Sequence, residues 1–369
     1  MSRLALDARL LHYNRTGIGR YIRHLYQALA PVAPERDLTV GYSRKDREHA
    51  LDPAWRRGTV LWTPPHHRLE RWTLAAELLR LRPALVHAPD HVCPQPLGWR
   101  TVLTVHDLAF WRLPETHTPE SRAYYDGLRR SAAQATRIIC VSHATRQELL
   151  AEMPDLAHKC RVVYEAPDPL FLGPSEGPST VATGRRYFVF VGTISPRKNV
   201  ARIVEAFAAA VADAPSRERP ELIMVGGDAP GAEDIRSMPA PLGVERDVRF
   251  VGHQPASEVA RLYRAALALV YPSLMEGFGL PILEAMACGA PVITSNRSSM
   301  PEVAGEVALF VDPERVPEIA GAMRRALEDA SLRDRLATAG RLRVTQFSWE
   351  RAARETLAVF DDALGASSA

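Results

Sequence analysis

Two carboxylates, Glu276 and Glu284, flank seven residues of the stretch PSLMEGFGLPILEAMACGAPVI, among them Gly277, Gly279 and Pro281. Glycines lack a Cβ and let a ligand approach the main chain. Pro281 suits the first turn of a helix, where its missing N–H would have had no partner. The amides of Phe278, Gly279 and Leu280 would then face a ligand with the helix dipole behind them, which makes an anion site. The carboxylates are acceptors and suit hydroxyl groups. A nucleotide sugar, with hydroxyls on both sides of a diphosphate, meets both demands. Glu284 could equally be a first-turn acid that complements the dipole.

A second group follows an apolar strand in FVFVGTISPRKNVARIVEAFAAA, where Gly192 precedes Arg197 and Lys198. Two adjacent cations at a strand end are placed for a diphosphate. The chain has only three lysines (Lys45, Lys159 and Lys198) against 43 arginines. Lys198 is therefore a compact point charge in an arginine-using protein. The alternative is a solvated turn before a helix capped by Asn199. In the first half, Gly17 opens a helix in TGIGRYIRHL, and His106-Asp107 end a strand in LTVHDLAF. A His-Asp pair at a strand end suits a cleft, with a structural role for the histidine left open.

These groups need strand, loop and helix junctions to hold them, because ligands of doubly wound sheets sit at the carboxyl ends of strands. Short apolar runs alternate with longer amphipathic segments, the pattern of a parallel sheet covered by helices. Strands are predicted near 3–7, 38–42, 84–87, 101–105, 137–141 and 160–163, with helices at 17–30, 69–81, 118–133 and 143–153. Pro, Gly, Ser and Thr accumulate at 168–184, and alternation then restarts. Further strands are predicted near 187–192, 220–225, 247–251, 267–271, 290–294 and 307–310, with helices at 199–212, 256–266, 281–288 and 314–329. The expected organisation is a first domain over 1–172, a linker over 173–184, a second domain over 185–346, and a C-terminal helix and tail over 347–369. That helix carries Trp349, Ala353, Leu357 and Phe360 on one side, for packing on its own domain or for return to the first.

A chain of 369 residues is comfortable for two domains, and a net charge of +3 argues against a nucleic-acid protein. Residues 1–180 hold 24 Lys+Arg and 19 Asp+Glu, or +5, and the remainder holds 22 and 24, or −2. The first half could face an anionic surface or acceptor, or present a solvated arginine face. Cys93, Cys140, Cys160 and Cys288 show no C-x-x-C pairing, so buried free thiols in a reducing compartment are expected. Neither a secretory leader pattern nor an 18-residue apolar run occurs, which points to the cytoplasm, with peripheral contact on the membrane face left open. No Asp-x-Asp pair is present, so no metal clamp is indicated. No G-x-G-x-x-G follows either leading strand, which argues against a NAD dehydrogenase.

Taken together, EGFGLPILEAMACGAPVI, VGTISPRKN, TGIGRYIRHL, LTVHDLAF and ICVSHATRQELL resemble the retaining glycosyltransferases of family four, over essentially the whole chain. The resemblance implies the GT-B architecture: two Rossmann-like doubly wound α/β domains facing a cleft. It implies that Glu276 contacts the donor sugar, Glu284 the ribose hydroxyls, and Arg197 and Lys198 the diphosphate. Gly192 and Gly277 let the donor close to the strand ends, the amides of Phe278, Gly279 and Leu280 complete its oxygen contacts, and Gly17 lines the cleft from the first domain. His106 matches the family's histidine near the transferred sugar, and Asp107 stands beside it. No cofactor is expected beyond the nucleotide-sugar donor; the other partner would be a saccharide or lipid-linked acceptor.

Two departures stand out. Thr193 occupies a position where many members have arginine, and YEAPDPLF replaces the usual Asn-Gly-x-Asp element while keeping Asp168. The VGT…PRKN and TVHDLAF variants resemble surface-polysaccharide enzymes, often mannosyl-transferring, which points to GDP-mannose. Retention by same-face attack follows from the resemblance; a double displacement on a carboxylate stays open. A nucleotide-sugar epimerase or hydrolase, or a non-catalytic nucleotide-sugar binding protein, is the alternative on the same architecture.

Overall fold

Runs rich in Val, Ile and Leu that are buried on both faces fold as parallel strands between covering helices. The structure is a computed structural model and describes residues 3–13, 17–46, 58–114, 125–174 and 177–365. Its contacts divide the chain into two units, one of Met1–Ala166 with Phe347–Ala369 and one of Pro167–Gln346.

In the first unit the strands are β1 (Arg3–Asp7), β2 (Asp37–Ser43), β3 (Gly58–Leu61), β4 (Leu85–Ala88), β5 (Arg100–Val105), β6 (Arg137–Cys140) and β7 (Cys160–Val162). They form a parallel sheet in the order β3-β2-β1-β4-β5-β6-β7. Leu4 lies opposite Leu38 on one side and Leu85 on the other, so the winding reverses beside β1. A buried polar chain crosses this core. His87 Nδ1 meets Tyr26 OH at 3.0 Å, His87 Nε2 meets Thr104 Oγ1 at 2.9 Å, and Tyr21 OH lies 3.0 Å from the same Thr104 oxygen. Burial pushes the His87 imidazole down to about 3, so it stays neutral.

The helix Trp349–Leu364 covers part of this first unit, as the return option expected. Ser348 caps it by accepting from Arg351 N at 3.1 Å. The Trp349 ring lies 6.1 Å from Tyr21 and 5.4 Å from His24, and Phe360 lies 5.3 Å from His87. Arg137 holds Asp362 with two bonds of 2.7 and 2.8 Å. Its buried face runs through Trp349, Ala353 and Phe360 but also Ala352, Thr356 and Val359, with Leu357 half-buried at the margin.

The second unit contains β8 (Tyr187–Val191), β9 (Glu221–Val225), β10 (Val248–Gly252), β11 (Ala268–Tyr271), β12 (Val292–Ser295) and β13 (Leu309–Val311). The order is β10-β9-β8-β11-β12-β13, all parallel, with the reversal between β8 and β11. The boundary falls earlier than the composition suggested. Phe171, fully buried in the helix Pro169–Leu172, packs 6.0 Å from the Tyr263 ring, and its carbonyl accepts from Cys288 Sγ at 3.7 Å. The expected linker is tied down as well: Glu258 accepts from the amides of Thr180 and Val181 at 2.9 and 3.2 Å. Residues 177–184 thus run as an anchored strap on the second unit rather than a free tether.

Some elements lie outside the pattern reading. Strand β3 and the helices Ala232–Ser237, Met300–Ala304 and Ala330–Val344 carry no apolar period that stands out. In Ala330–Val344 only Leu332, Gly340 and Val344 are buried, so no continuous stripe marks it. The helix predicted over 118–133 is described from Gly127 to Gln134, and its start at 118–124 lies outside the described residues. The four cysteines are free and buried. No helix among the described residues is long and apolar enough to cross a membrane.

Candidate active site

In the second unit the loops leaving β8 and β11 meet where the winding reverses, the place at which open α/β sheets bind ligands. The loop after β8 turns through Pro196–Lys198 as a single 3-10 turn. Asn199 ends it at φ +61°, a left-handed conformation that asparagine tolerates. Its side-chain amide donates to Pro272 O at 3.0 Å and Pro313 O at 2.6 Å, and Leu274 N donates to Arg197 O at 3.0 Å. Asn199 therefore locks the cation turn against the end of β11 in place of the side-chain cap that the sequence suggests, since its side chain makes no cap hydrogen bond to the following helix.

The lock brings Arg197, Lys198 and Glu276 together. Lys198 Nζ donates to Glu276 Oε1 at 2.5 Å and to Tyr271 OH at 2.6 Å, while Tyr271 OH donates to Glu276 Oε1 at 2.9 Å. Arg197 Nη1 reaches Glu276 Oε2 at 3.2 Å and Met275 O at 2.9 Å. Burial raises the pKa of Glu276, but Lys198 and Arg197 outweigh it and bring the carboxyl down to about 2. Two cations and one carboxylate leave this cluster with a net charge of +1. Burial and the Glu276 charge push the Tyr271 phenol well up, so it remains a neutral hydrogen-bonding group.

Directly beyond Glu276 the chain enters the helix Leu280–Ala287. Gly279 stands at its N-cap with φ +108°, a conformation open to glycine, and no side chain caps the first amides. Pro281 lies in the first turn as expected. Ser299 Oγ sits 2.9 Å from Glu276 O and 2.7 Å from Phe278 O, fixing the loop that carries Gly277. Glu284 is on the same helix and is buried. Gly192 at the end of β8 adjoins Gly226 at the end of β9. A Cβ on Gly226 would lie 1.8 Å from Gly192 O, so the second position has no room for a side chain.

In the first unit, His106 and Asp107 follow β5. His106 Nδ1 faces Glu165 Oε1 at 3.0 Å and Nε2 faces Pro89 O at 2.9 Å. Both partners are acceptors, so both nitrogens carry hydrogen. Burial lowers the pKa of this imidazole, but the bond and charge of Glu165 raise it above its ordinary value. The geometry thus makes His106 a charged positioning group, and proton transfer at its ring would require one of these bonds to open. Asp107 Oδ1 accepts from Ala109 N at 3.0 Å and shapes the turn. Gly17 begins the helix Gly17–Val32, whose Tyr21 stands edge-on to His106 at 4.7 Å. In the second unit, Asp168 caps the helix Pro169–Leu172 by accepting from Leu170 N at 2.9 Å.

Tyr271, Glu165 and a buried cluster around Arg9 escaped the sequence reading. Arg9 Nη2 bridges Asp7 Oδ2 and Glu70 Oε1, both at 2.7 Å, where β1 ends. Glu165 had one visible signal, since it lies in the YEAPDPLF departure. Among the described residues no group of three or more His, Cys, Asp or Glu side chains is arranged to hold a metal ion.

Residues 15–169 match the family described as Glycosyltransferase Family 4, and residues 176–343 match Glycosyl transferases group 1. The chain is 30% identical over 372 residues to O-antigen chain mannosyltransferase B of Escherichia coli, covering 94% of this chain and 96% of that protein. It belongs to the family 4 glycosyltransferases. This transferase is also 30% identical over 309 residues to D-inositol 3-phosphate glycosyltransferase of Corynebacterium glutamicum, covering 76% of this chain and 72% of the relative. Sucrose-phosphate synthase from Thermosynechococcus elongatus shares its fold with a TM-score of 0.80 at 22% identity, covering all of both chains. The two Rossmann-like units are those of a GT-B glycosyltransferase.

Proposed function

We propose that this glycosyltransferase moves a mannosyl group from GDP-mannose to a hydroxyl of a saccharide or lipid-linked acceptor, with retention and without a divalent metal, on the cytoplasmic side of the membrane. The observation that carries the reading is the net-positive Arg197–Lys198–Glu276 cluster beside the uncapped helix start at Gly279. Charge that develops on a departing diphosphate meets two fixed cations and main-chain amides, which stabilise it electrostatically. These cations take the part that a divalent ion plays elsewhere. The departing phosphate oxygen accepts the acceptor's proton as the acceptor oxygen bonds to the anomeric carbon on the same face. Glu276, held ionised, accepts hydrogen bonds from sugar hydroxyls, and Glu284 from the ribose. Mannose is favoured by the name of the relative that matches over nearly its whole length.

The test is incubation with GDP-mannose, UDP-glucose and a dTDP-sugar, each with and without acceptor and chelator, following nucleotide release and the anomer formed. Acceptor-dependent GDP release that survives the chelator, with an α-linked product, is the expected result. Epimerised sugar without free nucleotide, release without acceptor, or binding without turnover would each replace the reading with one of its rivals. A sugar ester trapped on Glu276 or Asp107 would replace same-face attack with double displacement.

A further inference from the structure

The helix Glu70–Leu78 in the first unit is apolar on both sides. Its inner side buries Leu74, Ala75 and Leu78 against Leu61 and Val86. Its outer side presents Leu69, Trp72 and Leu79 at 56%, 54% and 47% exposure, with exposed Ala76 between them. Positions 69, 72, 76 and 79 recur at helical spacing and line one stripe. Trp62, 63% exposed, follows β3, whose end is tied to this helix by Glu77, which accepts from the amides of Trp62 and Thr63 at 2.6 and 2.7 Å. A water-facing helix needs polar residues there, so a regular apolar stripe marks a contact surface.

Charge identifies the kind of partner. Exposed Arg68, Arg80 and Arg82 border the stripe and Arg44 lies 5.4 Å over Trp62, while Arg71, 5.1 Å over the Trp72 ring, is engaged by Gln95 and Gln134. The two carboxylates of this segment are both engaged within the unit. Glu70 is buried on Arg9 and the His66 amide, and Glu77 is spent on Trp62 and Thr63. A second copy meeting this face across a two-fold axis would set arginine against arginine. We infer that the stripe docks on an anionic lipid surface, with the tryptophans at the interface and the arginines on headgroup phosphates. The inference rests on the transferase reading only for its purpose, delivery of a lipid-linked acceptor.

Sedimentation with vesicles of phosphatidylglycerol and phosphatidylcholine, against phosphatidylcholine alone, tests it without donor or acceptor. Binding to the anionic vesicles should fall with added salt. The double variant Trp62→Ser/Trp72→Ser should bind about tenfold or more weakly while its unfolding midpoint and its affinity for GDP stay unchanged. Absence of vesicle binding, equal binding by the variant, or a concentration-dependent dimer that the variant abolishes would each overturn the inference. Failure of the transferase reading would show separately, as missing acceptor-dependent nucleotide release.

Discussion

Lys198 shows why a lysine is kept in a chain otherwise built with arginine. A tetrahedral ammonium can direct separate protons to Tyr271 and Glu276, which a planar guanidinium in the same place cannot match. Lys198→Ala should lower turnover by about two orders of magnitude, and Lys198→Arg should restore little of it, as read in steady-state kinetics. Tyr271→Phe removes one hydrogen bond on each side of that network and should cost about tenfold in turnover, with the thermal midpoint within a few degrees of the parent. Acid acts on the same cluster. The folded Glu276 titrates near 2 against an ordinary 4.5, so its contribution is present above 4.5 and disappears as pH falls toward 2. That contribution is on the order of 3 kcal/mol. Chemical denaturation across this window should show a steeper loss for the parent than for Glu276→Gln. His106 has the opposite sign, since a raised imidazole supports the fold below 6.5 and ceases to do so as pH rises through its folded value.

Elements were legible where one residue type carried the geometry. The alternation gave both sheets, and Gly277, Gly279 and Pro281 marked the helix start that the structure contains. Tyr271 was hidden because a strand tyrosine reads as ordinary core, and only the turn at Asn199 brings Lys198 to its hydroxyl. Arg9 and Glu70 lie 61 residues apart in the chain, so no local spacing could join them. Strand β3 and the helix Ala330–Val344 lack the periodic apolar stripe that marks such elements in a sequence. The glycines separate by the same logic. Gly226→Ala drives a Cβ into Gly192 O and should cost about 3 kcal/mol or more or prevent folding, as seen in denaturant midpoints. At Gly17 no atom of the described residues, apart from its chain neighbours and its own helix backbone, lies within 4 Å of the point that a Cβ would occupy. Gly17→Ala should therefore keep its stability or gain up to about 1 kcal/mol, and a raised donor KM in that variant would report close approach of the ligand.

At the scale of the whole molecule, the first unit is discontinuous in sequence and the second is not. Removing residues 347–369 takes away Trp349, Phe360 and the Arg137–Asp362 pair. Two buried aromatic anchors at about 2 kcal/mol each place the expected loss at several kcal/mol, all of it in the first unit. Calorimetry of the shortened chain should show one transition lowered or missing and the transition of the second unit unmoved. The same helix also sets an order of events during synthesis. Domains fold as units while the ribosome emits the chain from its N-terminus. Tyr21, His24 and His87 leave the exit tunnel early, yet the residues that shelter them are translated only after the entire second sheet. The newborn amino-terminal half must therefore wait with part of its surface unshielded, which makes it the natural client for a chaperone until translation of the last helix is done.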